Sequence, residues 1–252
     1  MQVPSPTACL IVVGNEILSG RTQDQNVAWI AKELNEIGIR LRQVRVIPDD
    51  TQIIVDTVGA CRHAFTYVFT TGGIGPTHDD ITSAAIAQAF GVGLERNREA
   101  EAILQRHYGQ EKLNAARLKM ADIPAGASLI LNPVSAAPGF RIENAYVMAG
   151  VPAIMQAMFT GFRHELRGGA KMLSKTLSAY ITEGVIAERL GAIQEECPDV
   201  EIGSYPFMRQ HRFGTSLVTR STDAAKLDAA CRRIKDLLLG LTQDVVEEDW
   251  AA

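Results

Sequence analysis

The segment TTGGIGPTHDDIT, residues 70–82, is the part of this chain from which fold and function can be predicted together. It follows an apolar segment at 65–69 that is typical of a β-strand, and it precedes a helix-like segment at 83–90. Glycines and two adjacent carboxylates therefore fall where a strand passes into a helix. Because backbone N–H groups and a helix N-terminus at such a junction favour anions, the loop is predicted to bind phosphate.

The residue types within this loop predict two kinds of contact. Glycine permits a positive φ and leaves no Cβ between the backbone and a ligand. Two adjacent carboxylates repel phosphate, so Asp79 and Asp80 are predicted to hold a hard divalent cation that bridges to phosphate oxygens. The alternative is a structural turn followed by first-turn helix charges, with Thr82 or an aspartate as the cap. The substrate contacts predicted here are Thr71, Gly72, Gly73, Gly75, Pro76 and Thr77.

Short apolar runs alternate with segments of helical periodicity over the first two thirds of the chain. Residues 8–13 (ACLIVV) are typical of a strand buried on both faces, and a helical pattern at 27–37 stops at Gly38. Further predicted elements are a strand at 40–47, a helix at about 51–63, a strand at 65–71, a helix after Thr82, a helical insertion at about 97–120, and strands at 129–131 and 145–148. This order predicts an α/β fold with an open, mostly parallel sheet.

A domain boundary is predicted at the polar, glycine-containing segment 164–171. The larger domain is assigned to residues 1–168 and the smaller one to residues 169–252. The tail is expected to be a small α+β unit with strands at about 173–181, 200–206 and 213–219 and helices at 183–190 and 223–241. Its basic, aromatic hairpin at 204–213 suggests contact with single-stranded nucleic acid or, as we favour, a structural or subunit-contact role.

Composition limits the classes of function. The chain has 252 residues, 46% of them hydrophobic, so it can bury a large core. A net charge of −4 disfavours nucleic acid as a partner. The four cysteines show no metal-binding or disulfide spacing and are expected to be reduced and mostly core-filling. No positively charged leader precedes the first apolar run, which is too short to span a bilayer, so no membrane association and a cytoplasmic location are expected.

The segment GGIGPTHDDIT within 72–82 resembles the GGxGPTxDDxT signature of the MoaB/Mog, or molybdopterin-binding, domain, and in particular its CinA-type branch. The resemblance implies a three-layer, mostly parallel α/β fold with a smaller C-terminal, KH-like α+β domain. It implies a pterin or nucleotide bound at the glycine loop and, in the CinA branch, an ADP-ribose pyrophosphatase that depends on a divalent metal. A second, amidohydrolase domain and its deamidase activity are not expected here.

Other segments are similar to motifs of the same family and occur in the same order. They are 14–20 (GNEILSG), 24–26 (DQN), 48–50 (PDD), 132–140 (NPVSAAPGF) and 149–152 (AGVP). Three of them depart from the family pattern, with Asn15 in place of aspartate, Ser135 in place of glycine and Ala149 in place of proline. Each loop follows a predicted strand, and ligands of open α/β sheets bind outside those strand ends. The additional site residues implied are Glu16, Asp24, Asn26, Asp49, Asp50, Pro138 and Gly139.

Asn26 is open to a second interpretation, as a cap or brace of its helix, and Phe140 is expected in the core.

The favoured function is metal-dependent hydrolysis of a nucleoside diphosphate compound such as ADP-ribose. Nucleotidyl transfer to a pterin and a non-catalytic binding module are the alternatives. The expected cofactor is Mg²⁺, Mn²⁺ or Co²⁺, the expected ligand is a small nucleotide or pterin, and a homo-oligomer is expected. The catalytic residues assigned are Asp80, Asp79 and Asp50, and the metal ligands are these three and Asp24.

Overall fold

The structure is a computed structural model that describes residues 5–109, 111–209 and 211–248. The chain divides into two compact units, Met1–Gly169 and Ala170–Ala252. The elements of the first unit are β1 (Thr7–Val13), α1 (Asn15–Leu18), α2 (Asn26–Glu36), β2 (Arg40–Ile47), α3 (Thr51–Ala64), β3 (Tyr67–Thr71), α4 (Thr82–Phe90), β4 (Leu94–Arg96), α5 (Arg98–Tyr108), α6 (Ala115–Leu118), β5 (Asp122–Pro124), β6 (Ser128–Ile130), β7 (Gly139–Ile142), β8 (Ala145–Met148) and α7 (Pro152–Phe162). Short 3₁₀ turns follow at Lys119–Ala121 and Arg163–Glu165.

The central sheet of the first unit has the strand order β2-β1-β3-β8-β7-β6. The strands from β2 to β8 in this order run parallel, and β7 and β6 add an antiparallel end. The expectation of a mostly parallel α/β sheet is therefore confirmed. The order also brings the C-terminal ends of β2, β1, β3 and β8 side by side.

Strand β1 shows why the sheet is covered on both faces. Leu10 and Val12 pack into one apolar cluster, whereas Cys9, Ile11 and Val13 pack into another. Since successive side chains of a strand point to opposite faces, the continuous apolar run gives each face a full apolar surface. The result is a layer of helices on each side of the sheet, with the core divided between them.

Some elements of the first unit differ from the sequence-based expectation. Helix α7 and the two-stranded β4–β5 ribbon were not predicted. Pro138-Gly139 was expected as a turn that contacts the ligand, but Gly139 begins β7, and both residues are buried. A Cβ at Gly139 would lie 2.2 Å from the carbonyl oxygen of Val147, so glycine is needed there for strand packing. Phe140 is 1% exposed, which confirms its place in the core.

The second unit is an antiparallel sheet with two helices. Its elements are β9 (Leu173–Ala179), α8 (Glu183–Glu196), β10 (Glu201–Arg209), β11 (Arg212–Ser221), α9 (Ala224–Leu239) and β12 (Val245–Glu248), with the strand order β10-β11-β9-β12. Leu177, Ile186 and Ile234 centre its core. The predicted α+β order is confirmed, and β12 was missed. Tyr205 and Phe213 of the hairpin are exposed, and its subunit-contact role stays a prediction.

Two further expectations concern the whole chain. Within the described residues, no helix combines the length and the apolarity needed to cross a membrane. The cysteines are free thiols, with Cys9, Cys61 and Cys231 buried and Cys197 partly exposed. The burial of three of the four confirms that the cysteines mostly fill the core.

Candidate functional site

The candidate site lies at the C-terminal ends of the four parallel strands. The N–H of Gly14, just after β1, donates to the carbonyl of Ile47 at the end of β2 at 3.1 Å. The N–H of Gly72, just after β3, donates in the same way to Met148 at the end of β8, also at 3.1 Å. Hydrogen bonds of the sheet thus continue one residue beyond the strands and hold the loops together.

The glycine loop, residues 72–80, begins with two residues that only glycine can occupy. Gly72 has a φ of 101° and Gly73 a φ of 69°. A Cβ at Gly72 would lie 2.2 Å from the carbonyl oxygen of Val13, and one at Gly73 would lie 2.1 Å from Oγ1 of Thr82. Gly75 does not need a positive φ, but a Cβ there would lie 2.7 Å from Oδ2 of Asp80. The glycines therefore allow close packing of backbone, helix start and carboxylate.

Asp80 organises the second half of the loop. Its Oδ2 accepts a hydrogen bond from the N–H of Thr77 at 2.8 Å and a second one from the Thr77 hydroxyl. Asp79 is exposed and points to solvent beside His78. The neighbouring Thr77 hydroxyl, followed by the backbone N–H of Asp79 itself, holds the pKa of Asp79 below its usual value. Asp79 therefore stays ionised to a lower pH than an ordinary aspartate.

The glycine loop forms one wall of an open cavity of about 700 Å³, called the crevice below. This volume falls within the range of small-molecule sites. Glu16, Asp49, Asp79 and Asp80 supply four carboxylates to its lining. Of the predicted substrate contacts, those in the lining are Glu16, Gly72, Gly73, Gly75, Pro76 and Thr77. Thr71, Asn26, Pro138 and Gly139 do not line it.

Two of the predicted metal ligands accept hydrogen bonds from the backbone of helices. Asp50 caps α3, since its side chain accepts from the N–H of Ile53 at 3.0 Å. Asp24 accepts from the N–H of Val27 at 2.7 Å in the first turn of α2. Neither lines the crevice. Within the described ranges no three His, Cys, Asp or Glu side chains are grouped closely enough to hold a metal ion by themselves.

Asn26 acts as a brace between α2 and the sheet. Its side-chain amide donates to the carbonyl of Gly150 at 2.7 Å, and the residue is 4% exposed. Oδ1 of Asn26 and the hydroxyls of Thr71 and Thr82 are buried with no hydrogen-bond partner among the described residues. Buried polar atoms without protein partners are unusual and are commonly met by ligand or ordered water at a functional site. The bracing role that the sequence left open is the one observed.

Sequence reasoning did not assign a function to the basic residues of the helical insertion. Arg117 lines the crevice, and its guanidinium stacks on the ring of Tyr108 at 4.4 Å from the centroid. Nζ of Lys119 donates to the carbonyl of Thr77 at 2.8 Å and so fastens the insertion to the glycine loop. The insertion was recognised as helical, but no periodic pattern indicates that it lies beside the glycine loop.

The loop between β6 and β7 closes the same part of the crevice. Oδ1 of Asn132 accepts from the N–H groups of Val134 and Ser135, and its amide donates to Oγ of Ser135 at 2.6 Å and to the carbonyl of Ala137 at 2.9 Å. Asn132, Ser135 and Ala137 all line the crevice. Within the NPVSAAPGF segment, residues from 132–137 line the crevice, whereas Pro138 and Gly139 do not.

Comparison with known proteins defines the family. The probable molybdopterin-binding domain matches residues 9–168, and the FAD synthase middle domain matches residues 171–246. The crystal structure of the protein CinA with unknown function from Thermoplasma acidophilum is 35% identical, has a TM-score of 0.61 and covers 64% of this chain and 98% of that one. The chain belongs to the molybdopterin-binding (MoaB/Mog) family, in its CinA-type branch.

Relatives extend the likeness to the second unit. A protein of Archaeoglobus fulgidus is 35% identical over 91% of this chain and 96% of its own length. A probable FAD synthase of Caenorhabditis elegans is 30% identical over 93% of this chain, which spans 50% of that protein. A CinA-like protein of Frankia casuarinae is 35% identical over 60% of this chain and 37% of its own length. Both units thus have counterparts in larger proteins.

Proposed function

We propose that the crevice binds a phosphorylated nucleotide or pterin and acts on its phosphoanhydride or nucleotidyl bond. The observation that carries this proposal is one open crevice lined by the glycine loop and four carboxylates. Each part alone has structural explanations. Together they provide donors for phosphate oxygens and ligands for the cation that phosphates bring with them.

The glycine loop supplies the phosphate contacts in this proposal. Its residues 72–75 line the crevice, and α4 begins at Thr82, directly after the loop. Backbone N–H groups of a glycine loop and the positive end of a following helix both favour anions. Gly72 and Gly73 leave the backbone uncovered by any Cβ. Lys119 holds the loop through the Thr77 carbonyl and keeps a positive charge nearby.

The carboxylates suit a cation whose coordination is completed by the phosphates of the substrate. Asp79 and Asp80 line the crevice beside the glycine loop, and Mg²⁺ is commonly bound by one or two carboxylates together with substrate phosphates and water. A preformed cluster of three protein ligands is not required by that mode of binding. When bound, a divalent cation would neutralise charge on the phosphate oxygens. Asp80 keeps the loop in shape through Thr77, while Asp79 offers an exposed carboxylate.

The family favours nucleotidyl transfer as the reaction. Both the family model of the first unit and the FAD synthase model of the second describe proteins of pterin or flavin nucleotide chemistry. Hydrolysis of a nucleoside diphosphate such as ADP-ribose is the second candidate. It is favoured by the exposure of Asp79 at an open crevice, which would give water access to a bound phosphate.

Two measurements test the proposal. Calorimetry should detect binding of ADP in the presence of Mg²⁺. Assays with Mg²⁺, Mn²⁺ or Co²⁺ should then show either AMP release from ADP-ribose or consumption of ATP only with a pterin acceptor. Asp79→Asn removes one charge without touching the core and should weaken Mg²⁺-dependent binding about tenfold. Asp56→Asn removes the same charge at an exposed position of α3 outside the crevice and is the matched control. Absence of binding of both ADP and a phosphorylated pterin by the wild-type protein would refute the proposal.

A further inference from the structure

The crevice has a second wall whose chemistry differs from that of the glycine loop. This insertion wall consists of Tyr108, Arg117, Met120 and Ala137. Tyr108 and Ala137 pack against the apolar cluster that contains Met120. An aromatic ring, a thioether and a methyl group offer nothing to a phosphate. They are the side chains that usually surround the flat, apolar part of a ligand.

Arg117 is held in place as a flat surface. The guanidinium of Arg117 lies over the Tyr108 ring at 4.4 Å from the centroid, and its Nη1 donates to the carbonyl of Lys112. The backbone N–H of Arg117 donates to Oδ1 of Asn114 at 3.0 Å. Tyr108 and Arg117 are each partly buried. A guanidinium stacked on one face keeps its other face free for a second planar group.

Arg117 gives the insertion wall a positive charge. Of the described residues that line the crevice, Arg117 alone is cationic, against the four carboxylates named above. Asn132 and Ser135 of the β6–β7 loop lie in the same lining, and they carry amide and hydroxyl groups. A heteroaromatic ring with polar edges matches this combination of stacking surface and neutral polar groups.

We propose that the Arg117–Tyr108 stack is the ring-recognition platform of the crevice, on which the planar heterocycle of the ligand stacks while its phosphates lie at the glycine loop. This inference rests on the proposed function, because it presupposes that the glycine loop holds the phosphates. Adenine, pterin and flavin rings share the required chemistry. The experiment distinguishes them.

The test compares ligands with and without a ring. Binding of ADP, neopterin monophosphate, FMN and inorganic pyrophosphate is measured by calorimetry with Mg²⁺. We expect one of the ring ligands to bind the wild-type protein about tenfold more tightly than pyrophosphate, the gain that stacking on one planar partner gives. Tyr108→Leu should remove most of this gain and leave pyrophosphate binding within about twofold. Arg117→Met also removes a positive charge, so it should weaken pyrophosphate binding too, but the ring ligand should lose more affinity than pyrophosphate does.

Two further variants separate stacking from charge and from stability. Arg117→Lys keeps the positive charge but lacks the planar guanidinium, so this variant should bind the ring ligand as poorly as Arg117→Met. Arg62→Met removes an Arg–aromatic contact of the same 4.4 Å length, over Phe90, outside the crevice, and should leave every affinity unchanged.

The outcomes are separable. Equal losses of pyrophosphate and ring-ligand affinity in Arg117→Met, or wild-type affinity in Arg117→Lys, would overturn the ring platform and leave the proposed function standing. Binding of neither pyrophosphate nor any ring ligand by the wild-type protein would overturn both. Preference for one ring ligand, lost in Arg117→Met, would support the platform and name the ring.

Discussion

Substitution of Gly72 by alanine tests the geometry of the glycine loop most directly. The φ of 101° at Gly72 is unfavourable for alanine, and the added Cβ would lie 2.2 Å from the carbonyl oxygen of Val13. Val13 ends β1, a central strand buried on both faces, so its carbonyl cannot move away cheaply. A left-handed backbone costs about 1–2 kcal/mol and overpacking about 1–3 kcal/mol, which together predict a loss of about 3 kcal/mol in unfolding free energy.

Gly91 provides the matched control. It ends α4 with a φ of 68°, and a Cβ there would meet nothing within 4 Å. Gly91→Ala therefore places alanine at a positive φ without a steric collision, and it should lower the unfolding free energy by only about 1 kcal/mol. The difference between the two variants measures the close approach of the loop to β1.

Urea unfolding followed by the fluorescence of Trp29 is the appropriate assay. Trp29 packs edge-on against Phe159 in the core of the first unit, at 5.5 Å between ring centroids. Because a chain of two units need not unfold in one step, the probe should report on this unit alone. Trp250, which lies outside the described residues, is therefore replaced by phenylalanine in every variant. Equal losses for Gly72→Ala and Gly91→Ala would refute the argument.

Three other predictions follow from buried or hydrogen-bonded groups. Thr77→Val removes the largest cause of the lowered Asp79 pKa, so that pKa should rise towards its usual value in a carbon-13 NMR titration. Burial, followed by the bond to the neighbouring thiol, raises the pKa of Cys9 from 9.0 to about 12. The Cys9 thiol therefore loses its proton at a lower pH in the unfolded chain than in the folded one. The unfolding free energy should fall as the pH rises above 9, and it should fall less steeply in Cys9→Ala. Asn26→Ala removes a buried brace and should lower the unfolding free energy by about 1–3 kcal/mol in a urea titration.

The sequence predicted the strands that position the site because each one is a short, distinctive apolar run. Residues 8–13 fall within β1, and 40–47 coincide with β2. Because the C-terminal ends of parallel strands meet at one edge of a sheet, the motifs that follow these strands were predicted to lie together at that edge. The strand β7 was missed because its Pro138-Gly139 start has the composition of a turn. Here a glycine serves close packing of strands, which composition does not distinguish from turn formation.

The sequence was less informative about which carboxylates face the crevice. Asp49 and Asp50 are neighbours in one loop, yet Asp49 lines the crevice and accepts from the N–H of Asn15, whereas Asp50 caps α3. Both roles suit the same residue type, and only the direction of the chain at that point separates them. The insertion wall could not be found from periodicity, because its place depends on the hydrogen bond from Lys119 to the glycine loop and on packing with the β6–β7 loop.

The three departures from the family pattern also read differently in the structure. Asn15 contacts Asp49 through its backbone N–H at 2.8 Å, a bond that does not depend on its side chain. The hydroxyl of Ser135 accepts a hydrogen bond from the side-chain amide of Asn132, and the N–H of Ala149 donates to the sulfur of Met158. Each altered residue therefore keeps its loop in place through backbone or compatible side-chain contacts. Loss of a family side chain at these positions is consequently no physical reason to expect loss of the crevice. The carboxylates beside the glycine loop and the insertion wall decide what the crevice can do.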